Sequence, residues 1–302
     1  MTRQSTNHIF LISPAVFYLN PETAETNVYQ LDGNESEEET YHHALGEFRQ
    51  FQNMLVKNKI AVTVMEGERA CPDHIFPNWA STHIMPDGRR GLALYPMLNA
   101  NRRAERTPAM IAFLSRTYDT VLDFRAREED GLFLEATGSL CLDRVNKVAY
   151  AALSARTDAG LAQEWADHMG YELLTFETRS HTGKPVYHTD LVMFIGTEVA
   201  GVCFACMTDE GARQAVRARL SRTHEIVDLT AAQQQAFCGN SLEVVNADGD
   251  RLLVMSDAAF RALRPDQIET FGRFFDRIIH SALPTMERYG GGSARCLMME
   301  MF

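Results

Sequence analysis

The sequence predicts an α/β fold from three observations. Short apolar runs of strand length alternate with amphipathic segments of helical period. Two strands joined by a tight turn and followed by a helix recur at roughly 50–60-residue intervals, with no repetition of the residues themselves. No Pro-, Gly- or Ser-rich linker divides the chain, so a single domain over 1–302 is expected rather than two.

The strand-like runs are Ile9–Ser13, Ile60–Glu66, Gly91–Tyr95, Thr120–Phe124, Glu172–Glu177, Val186–Ile195, Val199–Cys206, Ser241–Asn246 and Leu252–Ser256. Helical patterns fall at Glu37–Lys57, Thr107–Thr117, Asp158–Met169, Asp209–Leu220, Ala231–Phe237 and Asp266–Arg277. The acidic run Glu35–Glu39 suits a helix N-terminus, where carboxylates meet the positive end of the helix dipole. Thr107-Pro108 reads as a cap followed by proline in the first turn, and Asn246-Ala247-Asp248-Gly249-Asp250 as a hairpin turn.

Composition narrows the function. The chain has 302 residues, 45% hydrophobic and 23% charged, enough to bury a large core. A net charge of −11 argues against nucleic acid or an anionic membrane as partner, because both require basic patches. The apolar run Ile9–Ile12 is too short for a secretory leader, and no segment is long enough to span a bilayer. Six scattered cysteines point to a reducing cytoplasm. Cys203 and Cys206 form a C-x-x-C without a second pair or nearby histidines, so core packing is expected there rather than metal or redox chemistry.

Four segments carry residues capable of chemistry. Gly290-Gly291-Gly292-Ser293-Ala294-Arg295-Cys296 delivers a thiol from a glycine loop into an apolar terminal strand. Tyr187-His188-Thr189-Asp190 leads into an apolar run, and strand alternation would project His188 and Asp190 to one side. Phe133–Ser139 places Glu135 before a glycine turn, and Pro72–Trp79 is a proline-punctuated loop carrying Asp73. Each alone could be structural: a buried inert thiol, a satisfied core histidine, a turn acid, a loop cap. Together they supply a nucleophile, a proton carrier and carboxylates for a cationic or amide-like group. H-E-x-x-H, G-x-S-x-G, P-loop and G-x-G-x-x-G motifs are all missing from the sequence.

With Ser13–Ala24 and the stretch Leu94–Met97 to Asn101–Arg106, these segments resemble the guanidino-group-modifying (pentein) superfamily along the whole chain. That superfamily includes arginine deiminases, dimethylarginine dimethylaminohydrolases and amidinotransferases. The arginine-deiminase-related branch, the citrulline utilisation hydrolases, is the nearest in likeness. The resemblance implies a pseudo-fivefold α/β propeller of ββαβ units around a central site. It implies Cys296 as nucleophile, His188 as general acid/base, and Glu135 and Asp190 as acids holding the substrate nitrogens. It further implies Arg156 as partner of a substrate α-carboxylate, and Asp73 as a retained substrate contact.

The loop departs from the deiminase pattern after Phe76. Pro77-Asn78-Trp79 lacks a second guanidinium-gripping aspartate, with Asn78, or else Trp79, standing in its place. An asparagine can donate as well as accept, which suits a neutral ureido group. The expectation is therefore hydrolysis of L-citrulline to ornithine, ammonia and carbon dioxide, with a small amino acid as the only partner and neither cofactor nor metal. Arginine deiminase, dimethylarginine dimethylaminohydrolase, amidinotransferase and a non-catalytic pentein are the alternatives, and a homodimer is left open.

Overall fold

A computed structural model describes residues 3–302. The strands are β1 (His8–Ser13), β2 (Ala61–Glu66), β3 (Ala80–Ile84), β4 (Arg90–Leu94), β5 (Thr120–Asp123), β6 (Cys141–Asp143), β7 (Val148–Leu153) and β8 (Glu172–Glu177). They continue as β9 (Met193–Ile195), β10 (Val199–Val202), β11 (Glu225–Asp228), β12 (Leu242–Val245), β13 (Arg251–Ser256), β14 (Arg277–Ser281) and β15 (Met299–Glu300).

These strands form five three-stranded sheets, β15-β1-β2, β3-β4-β5, β6-β7-β8, β9-β10-β11 and β12-β13-β14. In every sheet the first two strands are antiparallel, and the third returns parallel to the second after a crossover. A parallel return needs a crossover, and here helices supply it. The principal ones are α1 (Glu37–Lys57), α2 (Ala100–Arg103) with α3 (Pro108–Thr117), α4 (Ala159–Met169), α5 (Glu210–Leu220), and α6 (Asp257–Ala262) with α7 (Pro265–Phe271). The fifth unit precedes a closure: β15 pairs with β1, so the chain's last strand completes its first sheet. The expected pseudo-fivefold α/β propeller of ββαβ units is thus what the chain forms.

Local chemistry explains the element ends. Ser36 and Glu39 make a reciprocal capping box ahead of α1, with Glu37, Glu38 and Glu39 in its first turn. Thr107 caps α3 with Pro108 at its start, and Asp158 and Asp209 cap α4 and α5. The Asn246 side chain accepts from the backbone N–H groups of Asp248 and Asp250, both at 2.9 Å, and Gly249 turns with φ 91°.

Three expectations fail. Val186–Ile195 is a strand only from Met193, because Thr189–Leu191 forms a 3₁₀ turn. His188 and Asp190 are therefore not placed by strand alternation. Val199–Cys206 ends as a strand at Val202 and turns at Phe204–Cys206. Asp266–Arg277 ends as a helix at Phe271, and Arg277 opens β14.

Cys203 and Cys206 are buried in the largest apolar cluster with their sulfurs 2.8 Å apart, and no third potential metal ligand joins them among the described residues. No described helix is long and apolar enough to cross a membrane.

Candidate active site

The site forms where the loops of several units converge. Cys296 sits in the 3₁₀ turn Arg295–Leu297, just before β15. The glycine run that delivers it is sterically required. Gly291 has φ 60°, a Cβ on Gly290 would lie 2.8 Å from the Phe76 ring, and one on Gly292 would lie 3.2 Å from the Cys296 sulfur.

Cys296, His188, Arg156, Asp73, Asn78 and Arg102 line one small closed cavity. The segment Asn20–Leu31 covers it. Asn27 Nδ2 donates to Gly290 O at 3.0 Å, Leu31 N to Arg288 O at 2.7 Å, and Arg156 Nη2 to Thr26 Oγ1 at 2.8 Å. Cys296 retains only 4% exposure and His188 1%, so a substrate reaches the thiol only when the covering segment moves.

Glu135 is the electrostatic hub. Its Oε2 lies 2.8 Å from His188 Nε2, 3.5 Å from Arg156 Nη1 and 4.0 Å from Arg102 Nη1, and its Oε1 accepts from Leu98 N at 3.1 Å. Full burial pushes its pKa up, but Arg156, the His188 hydrogen bond and Arg102 outweigh this and hold it at about 2. An ionised Glu135 can only accept, so His188 Nε2 carries the proton and Nδ1 holds the free lone pair. His188 Nδ1 makes no hydrogen bond among the described residues. Burial lowers the His188 pKa to about 4 despite Glu135. The imidazole is accordingly neutral at pH 7 and ready to take a proton.

Burial, and next the Asp190 carboxyl, push the Cys296 thiol well above its ordinary value. The free protein thus holds a neutral thiol and a neutral imidazole rather than a thiolate–imidazolium pair. The sulfur lies 3.4 Å from Asp190 Oδ2 and 3.1 Å from Asn240 Nδ2. Burial raises Asp190 to about 7.

Asp73 differs from the other acids. Its Oδ2 accepts from Asn20 Nδ2 at 2.8 Å and Thr23 Oγ1 at 2.9 Å, while its buried Oδ1 has no partner. Arg102 is paired with Glu105 at 2.8 Å and Arg156 with Glu135, whereas no ion pair among the described residues includes Asp73.

The sequence-derived residues are gathered unevenly. Cys296, His188, Arg156, Asp73 and Asn78 share the cavity wall. Glu135 has both oxygens occupied by protein donors, so it faces His188 and Arg156 rather than open space. Asp190 instead borders a second cavity, lined also by Arg295 and Glu300, and does not line the one that holds Cys296. Arg156 Nε and Nη2 are both engaged with Thr26, so a carboxylate must displace that hydroxyl to bind there.

The sequence alone gives no role to Arg102 or Asn240. Arg102 falls within Asn101–Arg106, one of the stretches that carry the family resemblance, while Asn240 has no signal beyond the glycine before it.

Gly138 sets the imidazole position. A Cβ there would lie 2.5 Å from His188 Nδ1. Gly138→Ala is expected to displace the ring and lower kcat about 10²-fold, the usual cost of roughly 1 Å of misplacement. Steady-state kinetics beside a thermal melt checks this: an unchanged kcat would show that the ring position is not critical.

A pseudo-fivefold propeller closing on a buried thiol, imidazole and carboxylates defines a guanidino-group-modifying enzyme of the pentein superfamily. Residues 13–302 match the family described as N,N dimethylarginine dimethylhydrolase, eukaryotic, and the chain belongs to it. It is a hydrolase acting on carbon–nitrogen bonds other than peptide bonds. No curated protein sequence matches it.

Among solved structures it is similar to apo ArgZ, an arginine dihydrolase from the ornithine–ammonia cycle in cyanobacteria, with a TM-score of 0.75 at 16% identity. That likeness covers 97% of this chain and 40% of ArgZ. The substrate-bound N-terminal domain of ArgZ gives a TM-score of 0.73 at 15% identity, with 97% of each chain covered. A histidine-to-glycine variant of dimethylarginine dimethylaminohydrolase, in an adduct with S-methyl-L-thiocitrulline, gives 0.66 at 14% identity, with 100% of each chain covered. At these identities the likeness shows the fold.

Proposed function

We propose that the protein hydrolyses the ureido or guanidino carbon of an amino acid through a covalent bond to Cys296, with L-citrulline as substrate. Asn78 carries the substrate choice. Its Oδ1 accepts from Arg102 Nη1 at 3.4 Å, and because a guanidinium only donates, the amide cannot be turned the other way. Nδ2, which makes no hydrogen bond among the described residues, is then left to donate into the cavity that Asn78 lines. A donor suits the carbonyl oxygen of a urea and meets nothing on a guanidinium. Asp73 Oδ1 is the acceptor available to the substrate's N–H groups.

The chemistry follows from the protonation states. His188 Nδ1 takes the Cys296 proton as the sulfur attacks the ureido carbon. The same proton goes to the departing amine, releasing ammonia and leaving an S-carbamoyl enzyme that carries the ornithine chain. His188 then takes a proton from water, whose oxygen attacks that carbon. The C–S bond breaks, the sulfur regains a proton from His188, and the released carbamate loses carbon dioxide to leave ornithine. Glu135 holds the imidazole in one tautomer and stabilises its charged form. Arg156, once freed from Thr26, anchors the α-carboxylate.

A second reading is favoured by the family match and by Asp73. An unpaired buried carboxylate beside the cavity suits a cation, as in arginine or a methylated arginine. Separate incubation with L-citrulline, L-arginine, dimethylated arginines and agmatine, with product identification, decides between them. Ornithine from citrulline as the fastest product supports the proposal; faster conversion of arginine or dimethylarginine to citrulline overturns the ureido assignment. Asn78→Asp exchanges the donor for an acceptor. It is expected to shift the ratio of kcat/KM values toward arginine by roughly tenfold or more, from one charge-assisted contact of about 1.5–3 kcal/mol.

A further inference from the structure

We propose that Asn240 is a further catalytic residue of this site, its Nδ2–H donating to the Cys296 sulfur as that sulfur becomes anionic. The inference rests on the reading of Cys296 as nucleophile.

Three contacts fix the Asn240 amide. Nδ2 lies 3.1 Å from Cys296 Sγ and 3.2 Å from Asp190 O, and Oδ1 accepts from Cys296 N at 3.2 Å. Turning the amide over would set Oδ1 against the Asp190 carbonyl and Nδ2 against the Cys296 N–H, losing both bonds to repulsion. Both N–H groups therefore point as described, one at a carbonyl and one at the sulfur. Asn240 also accepts on its backbone, from Arg295 N at 3.2 Å. Its side chain is fully buried, so water cannot replace the amide donor.

The position is built by backbone approach. A Cβ on Gly239 would lie 2.5 Å from Leu191 O, so only glycine lets this turn press against the turn that holds His188 and Asp190. That approach brings the Asn240 amide between Asp190 and Cys296.

The sulfur needs this donor. Burial disfavours a thiolate, and so does the neighbouring Asp190 carboxyl whenever it is ionised; the Ser293 backbone N–H works with the Asn240 amide against them. Among the described residues, the Asn240 amide is the one non-titrating side-chain donor to Cys296 Sγ, beside the backbone N–H of Ser293. A donor fixed in a dry site stabilises charge as it develops, without reorganisation. Asn240 is not part of the substrate cavity wall, so its contribution falls on the chemical step rather than on binding.

The test pairs kinetics with thiol reactivity. Asn240→Asp is nearly isosteric and replaces the donor by an acceptor; Asn240→Ser, smaller and neutral, carries the same test should the aspartate variant be recovered unfolded. Both are expected to lower kcat about 10²-fold, with KM held within a few-fold. Alkylation of Cys296 by iodoacetamide, located by peptide mass spectrometry between about pH 6 and pH 10, should slow at least about tenfold. A role confined to folding would not slow alkylation of a protein that melts normally.

Folded variants with wild-type alkylation and kcat would overturn the assignment of Asn240. Cys296→Ala, run alongside, separates the two claims. If it still turns substrate over, the nucleophile reading itself fails, whatever Asn240 does.

Discussion

Cys296→Ala is expected to lose turnover of every ureido and guanidino substrate by at least about 10⁴-fold, since removal of a covalent nucleophile leaves only binding and electrostatic assistance. The other five cysteines are expected to be dispensable. Cys71, Cys141, Cys203, Cys206 and Cys238 are all buried, and none of them borders the substrate cavity. Their replacement should change stability but spare kcat. The fold should survive Cys296→Ala, because the backbone bond from Cys296 N to Asn240 Oδ1 and the glycine run around it are retained. Kinetics beside thermal melts of six single variants checks the contrast. Loss of kcat in one of the other five at unchanged stability would contradict it.

Glu135→Gln carries the second large expected effect, on both stability and activity. The carboxylate is fully buried between His188 and two arginines. Glutamine keeps the shape but leaves Arg156 without the one carboxylate partner it has among the described residues. Breaking a buried pair on one side costs about 3–5 kcal/mol. The activity loss should appear in kcat, because a neutral amide no longer stabilises the charged His188.

The pH dependence tests the same group. Held at about 2 in the fold, against an ordinary value near 4.5, Glu135 contributes stability that is complete above about pH 4.5 and is lost as pH falls toward 2. His188, lowered to about 4, acts in the same sense between about pH 6.5 and 4. Asp190, raised to about 7, acts oppositely: its contribution is complete below about pH 4 and lost as pH rises to 7. Urea titrations at several pH values should therefore show the gap between wild type and Glu135→Gln closing below about pH 4.5. A gap independent of pH would mean that Glu135 is not ionised in the fold.

Much of the scaffold was legible because it rests on local rules. The cap at Thr107 and the helical patterns that begin at Glu37, Asp158 and Asp209 mark helix starts that the structure reproduces within a residue. The strand Ala80–Ile84 went unrecognised because its inward residues are polar. Buried Ser81 bonds His83 and Tyr95, Thr82 donates to Glu300 O, and a hydropathy pattern cannot see burial of that kind. The His188–Asp190 turn defeated period reasoning for a related reason. Contact with the Gly239–Asn240 turn, 50 residues away, shapes it, and its own apolar flanks read as strand. Cys296 could be singled out from its glycines, whereas Asn240 is functional only through what long-range packing sets beside it.

The most direct test of the central claim is a quench experiment with L-citrulline labelled at the ureido carbon. Enzyme and substrate are mixed, stopped in acid within one turnover, digested, and mapped by mass spectrometry, while products are followed in parallel. The expected result is label on the peptide carrying Cys296, with a mass equal to citrulline less ammonia, followed by labelled carbon dioxide and stoichiometric ornithine. Ornithine formed with no label on Cys296, or citrulline left intact while arginine is consumed, would contradict the account.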